Sequence, residues 1–191
     1  PKYGNDDDYA DSIAADFYSW WADSIIENPN YDAGFGTHYV PAAYSVSRHG
    51  PSGKYTGALP TGRLAGEFLA DGSMSPRQGV DLNGPTAVLN SAGKIDQSKY
   101  TNTLLNMKFQ GGTLKNDGDR AKLAALIETY FAMGGKHIQF NIVDKETLED
   151  AQAAPERHGD LIVRVAGYSA FFIELTENIQ AELISRTEEN L

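Results

Sequence analysis

The run Leu161-Ile-Val-Arg-Val-Ala-Gly-Tyr-Ser-Ala-Phe-Phe172 carries apolar, β-branched residues up to one glycine, Gly167, with aromatics just beyond it. Three readings of Gly167 are open. It can be a backbone position of positive φ, where glycine fits at little cost. It can let the backbone approach a ligand closely. Or its α-carbon can itself do chemistry. Loss of a hydrogen atom there leaves an unpaired electron between an electron-donating amide nitrogen and an electron-withdrawing carbonyl. Both neighbours share the spin when the centre is planar, and a side chain would crowd that planar form. Such a radical must be kept from water and oxygen, and Val165, Ala166, Phe171 and Phe172 are the residues expected to wall it in.

Other side chains could serve such a site. Arg164 lies in the same apolar run, so it must be paired or hydrogen-bonded if buried. It can position the glycine loop or form a structural ion pair. His137, Gln139 and Asn141 alternate with Ile138, Phe140 and Ile142, as on the two faces of a strand. Their polar face points inward in a barrel and to solvent elsewhere. His49 reads as an exposed loop residue or a pocket residue. The four histidines lack metal-ligand spacing. Gly57, Gly62, Gly66 and Gly72 are not followed by the Gly-Lys-Ser/Thr of a phosphate loop.

The elements that must hold these residues are legible from period and punctuation. Asn5 to Asn28 reads as a helix, acid-rich at its start where the helix dipole favours negative charge. Ile13, Phe17, Trp20, Trp21, Ser24 and Ile25 form one broad face, expected to pack in the core or an interface, and Pro29 ends it. Residues 30–85 hold many glycines and prolines and few periodic runs. A loop region that long is functional or borrowed from a larger assembly, with short strands expected at Tyr39–Val46 and Tyr55–Leu59. Pro85 opens a helix over Thr86–Ala92. Leu104–Phe109 reads as a strand. Asp119–Met133 reads as a helix with an apolar stripe of Leu123, Leu126, Ile127, Tyr130 and Phe131, ended by Gly134-Gly135. His137–Val143 reads as a strand, Asp144 as the cap of a helix through Ala153, Leu161–Ala166 as a strand buried on both faces, and Thr176 as the cap of a helix to about Arg186 with Ile179, Leu183 and Ile184 inward. The order is that of an α/β fold.

The 191 residues suit one domain or slightly more, with 41% hydrophobic residues for a core. A formal charge of −10 argues against a nucleic-acid partner. No apolar run reaches membrane-spanning length and no secretory signal opens the sequence, so a cytoplasmic location is expected and no membrane partner. There is no cysteine, which excludes disulfides and thiolate metal sites.

The wider string narrows the choice at Gly167. Gly134-Gly-Lys-His-Ile-Gln-Phe-Asn141, Thr147-Leu148, Asp150-Ala-Gln152, Pro155-Glu156, Asp160 to Tyr168, Gln180 and Arg186-Thr187 resemble, in order and spacing, the glycyl radical domain of the glycyl radical enzymes. Upstream, Pro1-Lys-Tyr-Gly-Asn-Asp-Asp6, Pro60-Thr-Gly-Arg-Leu-Ala-Gly-Glu67, Ala70-Asp-Gly72, Ser75-Pro76, Asn83-Gly-Pro-Thr-Ala87 and Leu104-Leu-Asn-Met-Lys-Phe109 resemble the preceding part of the same family. The resemblance covers essentially the whole chain. It is similar to the lyase branch that contains glycerol and propanediol dehydratases and choline lyase, and less similar to pyruvate formate-lyase itself.

The resemblance implies the C-terminal part of a ten-stranded α/β barrel, with residues 1–110 as its last barrel segment and 111–191 as the glycyl radical domain. It implies a radical on Gly167, passed to a cysteine that abstracts hydrogen from a small-molecule substrate. That cysteine has no counterpart here, so a larger chain carrying it is the expected partner and the chain is not expected to turn over alone. The chain then reads as a small subunit or fragment of a lyase, or as a spare part that rescues a damaged enzyme. No cofactor is expected on the chain itself; a separate iron–sulfur activating enzyme using S-adenosylmethionine is expected to install the radical. The glycine loop would have to leave the barrel to meet it, with Gly134-Gly135 and Gly159 as hinges or as plain cap and turn. A bacterial microcompartment is a second location consistent with the branch. By resemblance, Tyr44 and Ser45 fall in the substrate pocket, against a core reading for Tyr44. Arg186 falls near the active centre, against a reading as a dipole-complementing residue in the last helical turn. A partial barrel also leaves edge strands and apolar faces that seek a partner.

Overall fold

The computed structural model describes residues 1–28 and 39–191. Pro29, expected to end the first helix, lies outside the described residues. Helix α1 spans Asp8–Ile26 and is capped by the Asp7 side chain, which accepts from the Ala10 amide at 3.0 Å. Its buried side carries Ala14, Ala15, Tyr18 and Ala22. The stripe expected in the core or an interface is the outer one: Ile13, Phe17, Trp20 and Trp21 are exposed on this chain, Trp20 by 62%, so it is not core. The small residues win the inner face because they let the helix axis come close to its neighbours. The acidic start is not simply solvated. Asp6, Asp8 and Asp11 converge on the Lys94 ammonium at 2.8, 2.8 and 2.9 Å.

Neither strand expected between residues 39 and 59 forms. A short helix, α2, occupies His49–Lys54. The carbonyls beyond it go to a side chain instead of a ladder. The buried Arg63 guanidinium donates to the carbonyls of Gly53, Gly57, Thr56 and Phe68 at 2.7, 2.8, 3.3 and 3.2 Å, and to that of Glu67. One side chain thereby organises a loop that has no secondary structure of its own.

Helix α3 (Pro85–Gly93) leads to strand β1 (Asn106–Phe109), which is buried along its whole length. Helix α4 (Asp117–Ala132) is capped by Asn116, whose side chain accepts from the Asp119 amide at 3.0 Å. Of its expected stripe only Tyr130 is fully buried, and Phe131 is exposed. Gly134, at φ +96°, and Gly135 end it by donating to the carbonyls of Phe131 and Tyr130, each at 3.0 Å. This is the glycine-closed helix end that the sequence suggests. Strand β2 (Gln139–Ile142) and the two-residue strand β5 (Glu188–Glu189) flank β1, both parallel to it, in the order β2-β1-β5. Met74, Leu89, Ala92, Leu105, Met107 and Tyr130 form the core beneath.

Helix α5 (Lys145–Ala153) starts after Asp144, whose carboxylate does not cap it but accepts from the Gly111 amide at 2.7 Å. Strands β3 (Ile162–Arg164) and β4 (Ser169–Phe171) form an antiparallel hairpin apart from the parallel sheet. The expected strand buried on both faces is therefore a hairpin arm with one open face, and Ile162 on it is exposed. Helix α6 (Glu177–Ser185) follows, with no capping bond from the Thr176 side chain. Leu148, Ala151, Val163, Val165, Phe172 and Leu183 close a second core between α5, the hairpin and α6. Among the described residues, no helix is long and apolar enough to cross a membrane.

The Tyr130 hydroxyl is joined to the buried Gln97 side chain, whose amide nitrogen stands 3.0 Å away. Tyr130→Phe keeps the ring and removes this bond. A loss of about 1 kcal/mol in the free energy of chemical denaturation is expected, with the slope of the transition unchanged.

Candidate functional site

The β3–β4 hairpin pairs Val163 with Ala170 and Arg164 with Ser169. The Val165 amide donates to the Tyr168 carbonyl at 2.9 Å, which leaves Ala166 and Gly167 at the tip. Gly167 has φ +87°, and a Cβ added there would lie 3.3 Å from Leu104 Cδ1. Both the backbone conformation and the lack of room disfavour a side chain. Gly167 opens onto a cavity of about 620 Å³ lined by Tyr44, Val46, Leu104, Lys136, His137 and Tyr168, among others. Val165, Ala166 and Phe172 are buried behind the tip as expected, but Phe171 is exposed and Gly167 itself is open within this chain. Three of the four flanking residues are therefore buried, and the glycine is left open to the cavity.

The hairpin is fastened to the sheet by side-chain amides. Asn141 on β2 accepts from the Arg164 amide at 2.7 Å and donates to the Arg164 carbonyl at 2.7 Å. It thus takes the place of a neighbouring strand. Gln139, two residues earlier on the same face, accepts through Oε1 from the Gly167 amide at 3.2 Å and from Arg164 Nη2 at 3.0 Å. Its Nε2 donates to Asn106 Oδ1, and Asn106 Nδ2 donates to Asp71 at 2.5 Å and lies 3.5 Å from the Val165 carbonyl. The polar face of β2 is thus buried against the glycine loop and not solvated.

Behind this layer lies a cluster of buried charge. Arg186 donates to both Glu182 oxygens at 3.0 and 2.9 Å, to the Val165 carbonyl at 2.8 Å, and stands 3.5 Å from Asp71. Burial opposes ionisation of Glu182, but Arg186, His49 and Gln78 outweigh it and hold the carboxyl down at about 2. Burial likewise opposes the charge on Arg186, and Asp71 and Glu182 overcome it and raise its pKa. Burial raises the Asp71 carboxyl, with Arg186 acting against it. The geometry explains the split, because Arg186 gives its short paired bonds to Glu182 and only a longer contact to Asp71.

The residues singled out in the sequence do not share one place. Tyr44 is 56% exposed and lines the cavity with Gly167, so it is not a core tyrosine. Ser45 instead accepts from the Gly72 amide at 3.1 Å. Arg164 finds Gln139 and Ser169 Oγ, at 3.0 and 3.2 Å, and no ion-pair partner among the described residues. Arg186 lies just past α6 with extended backbone, buried and tied to the loop, so the role of a dipole-complementing surface residue does not apply. His49 is buried, 3.6 Å from Glu182, and is not an exposed loop residue. Sequence reasoning missed Asn106, Glu182, Asp71 and Val46. The last sits at φ +50°, costly for a β-branched residue, and turns the chain beside Tyr44 at the cavity. Gln139 and Asn141 did carry a signal, the polar alternation along β2.

Residues 70–173 match the family model described as "Glycine radical", and residues 1–53 the model described as "Pyruvate formate lyase-like". The indoleacetate decarboxylase of Tractidigestivibacter scatoligenes is 45% identical over 98% of this chain and 21% of its own length. The probable dehydratase YbiW of Escherichia coli (strain K12) is 45% identical over 100% of this chain and 24% of its own. The glycerol-bound B12-independent glycerol dehydratase of Clostridium butyricum superposes with a TM-score of 0.93 at 43% identity, covering 100% of this chain and 24% of that one. The chain thus spans about a fifth to a quarter of the length of the relatives it matches.

Glu182 carries a depressed pKa, so its contribution to stability is present above its ordinary value of 4.5 and is lost as pH falls through about 2. Glu182→Gln strips Arg186 of its main partner. A destabilisation of about 3–5 kcal/mol near neutral pH is expected, together with a flatter loss of stability between pH 4.5 and 2 in acid denaturation followed by circular dichroism.

Proposed function

The chain belongs to the glycyl radical enzyme family, and from that membership we propose that it is the radical-bearing part of a glycyl radical lyase, with Gly167 as the residue that stores the unpaired electron. The observation that carries this reading is the glycine itself. It stands at a hairpin tip in a conformation that disfavours a side chain, with the residue open to a cavity on one side and its amide held on the other.

The chemistry balances as follows. A separate activating enzyme, of the iron–sulfur type that uses S-adenosylmethionine, removes one hydrogen atom from the Gly167 α-carbon. In the assembled enzyme a cysteine thiol gives its hydrogen atom back to that carbon and becomes a thiyl radical. The thiyl takes a hydrogen atom from a substrate carbon, a bond to the leaving group breaks, the product radical recovers the hydrogen from the cysteine, and the thiyl so regenerated takes the hydrogen atom back from the Gly167 α-carbon, which restores the glycyl radical. This chain has no cysteine, so the thiol comes from a polypeptide or segment that completes a barrel around the cavity. In this reading Tyr44 offers its hydroxyl to the substrate, while Arg164 and Arg186 position the loop. The exposed face of α1, with Ile13, Phe17, Trp20 and Trp21, is the apolar surface that the completing portion covers.

The named relatives include dehydratases and decarboxylases. We take dehydration or another carbon–heteroatom cleavage of a small molecule as the reaction. Similarity over residues 1–53 as well as 70–173 favours a part of a catalytic barrel over a spare part, which would need only the glycine loop and its supports.

Anaerobic electron paramagnetic resonance of the assembled enzyme after treatment with activase and S-adenosylmethionine is expected to give a glycyl doublet. Gly167→Ala is expected to abolish it, whereas Tyr44→Phe keeps it and impairs turnover. A doublet that survives in Gly167→Ala overturns the assignment.

A further inference from the structure

Among the described residues, Gln139 is the one side chain whose oxygen meets the Gly167 amide, and two independent constraints fix which end of its amide faces the glycine. Arg164 can only donate, so the atom of Gln139 that lies 3.0 Å from Arg164 Nη2 and 3.2 Å from the Gly167 nitrogen has to be the oxygen. The Gln139 nitrogen then faces Asn106 Oδ1, and the Asn106 nitrogen faces Asp71 Oδ2 at 2.5 Å. Asp71 Oδ2, on the carboxyl that lies 3.5 Å from Arg186, accepts from Asn106 at the far end, which agrees with the orientation set by the two donors on Gln139. Asp71, Asn106 and Gln139 are buried, and Gly167 is exposed.

We propose that Asp71, Asn106 and Gln139 form a hydrogen-bond relay that tunes the Gly167 radical, with Gln139 as the positioning residue that also sets its spin distribution. This rests on Gly167 being the radical residue. The stability of a glycyl radical depends on how far the amide nitrogen feeds electron density to the α-carbon. A strong acceptor on the N–H raises that density. Each amide in the relay donates at one end and accepts at the other, so polarisation adds along the chain. The carboxylate at its head makes the Gln139 oxygen a better acceptor than an isolated amide. Arg164 draws on the same oxygen and pins it in place. Asn141 holds the adjacent Arg164 backbone but does not touch the Gly167 amide. One amide therefore fixes where the loop sits, and the other reaches the radical centre.

The test uses the assembled, activated enzyme under anaerobic conditions. Gln139→Met keeps the side-chain length and removes the acceptor. It is expected to change the α-proton splitting of the doublet and to shorten the radical half-life several-fold. Asn141→Leu is expected to alter the yield of radical while leaving the splitting at its wild-type value. Wild-type splitting and half-life in Gln139→Met overturn the relay, and so does the same spectral change in Asn141→Leu. Should Gln139→Met fail to assemble, the wild-type enzyme exchanged into D₂O still decides. Pulsed electron–nuclear double resonance is expected to give a Gly167 amide deuteron with the reduced quadrupole coupling of a hydrogen-bonded group, and a free-amide value overturns the relay. A wild-type enzyme with no doublet at all overturns the radical reading itself, a different outcome from a doublet that ignores Gln139.

Discussion

The backbone of residues 164–167 has no strand beside it on its inner edge; Val165 is buried there and its polar groups must find partners, while Gly167 stands exposed at the tip. The fold answers with side chains. Asn141 returns both bonds that a neighbouring strand would make to Arg164, and Gln139 takes the Gly167 amide. Arg186 takes the Val165 carbonyl. A buried backbone group left unpaired costs about 1–3 kcal/mol, so these four residues are constrained together. The parallel sheet, the hairpin and the end of α6 are arranged so that their side chains meet at this one segment.

Holding a loop by side chains differs from holding it by a ladder. A ladder is paired along its length and resists removal of the strand. Here a few discrete bonds secure the hairpin, and the hairpin keeps its own antiparallel pairing whether or not it is docked. A segment of that kind can move as a unit. The charged cluster behind it supplies the stiffness. Glu182, Arg186 and Asp71 are buried together, and the loss of any one leaves another charge without its partner. Without Asp71, however, Arg186 and Glu182 still hold each other through paired short bonds, so it is that pair that fixes the geometry behind the loop.

Much of the frame was legible in the sequence. Period and punctuation marked α1, α3, α4, α5 and α6 to within a few residues, because both are local along the chain, although side-chain caps form only at α1 and α4 among these helices. The alternation in β2 separated polar from apolar faces correctly, although the destination of the polar face stayed open. Burial was legible only as a shared face. The tryptophans of α1, expected in the core or an interface, and Phe131 of α4 have helical spacing and lie on the surface of this chain. Periodicity says that residues share a face; it does not say what, if anything, in the same chain covers that face. The strand expected at Tyr55–Leu59 failed because Arg63, distant from it in pattern, captured the carbonyls of Thr56 and Gly57.

The sequence by itself determined that Gly167 is the centre of interest. A glycine after a β-branched run, within a string resembling one family, is a property of order and residue type, and these are written in the chain. It also determined that no thiol is present. Only the tertiary structure decided what surrounds that glycine. Gln139, Asn106 and Asp71 lie 28, 61 and 96 residues before it, and no local rule links them. They meet because β1 and β2 pair in parallel register, Asn106 with Gln139, and because the hairpin must satisfy its backbone against whatever side chains that register presents.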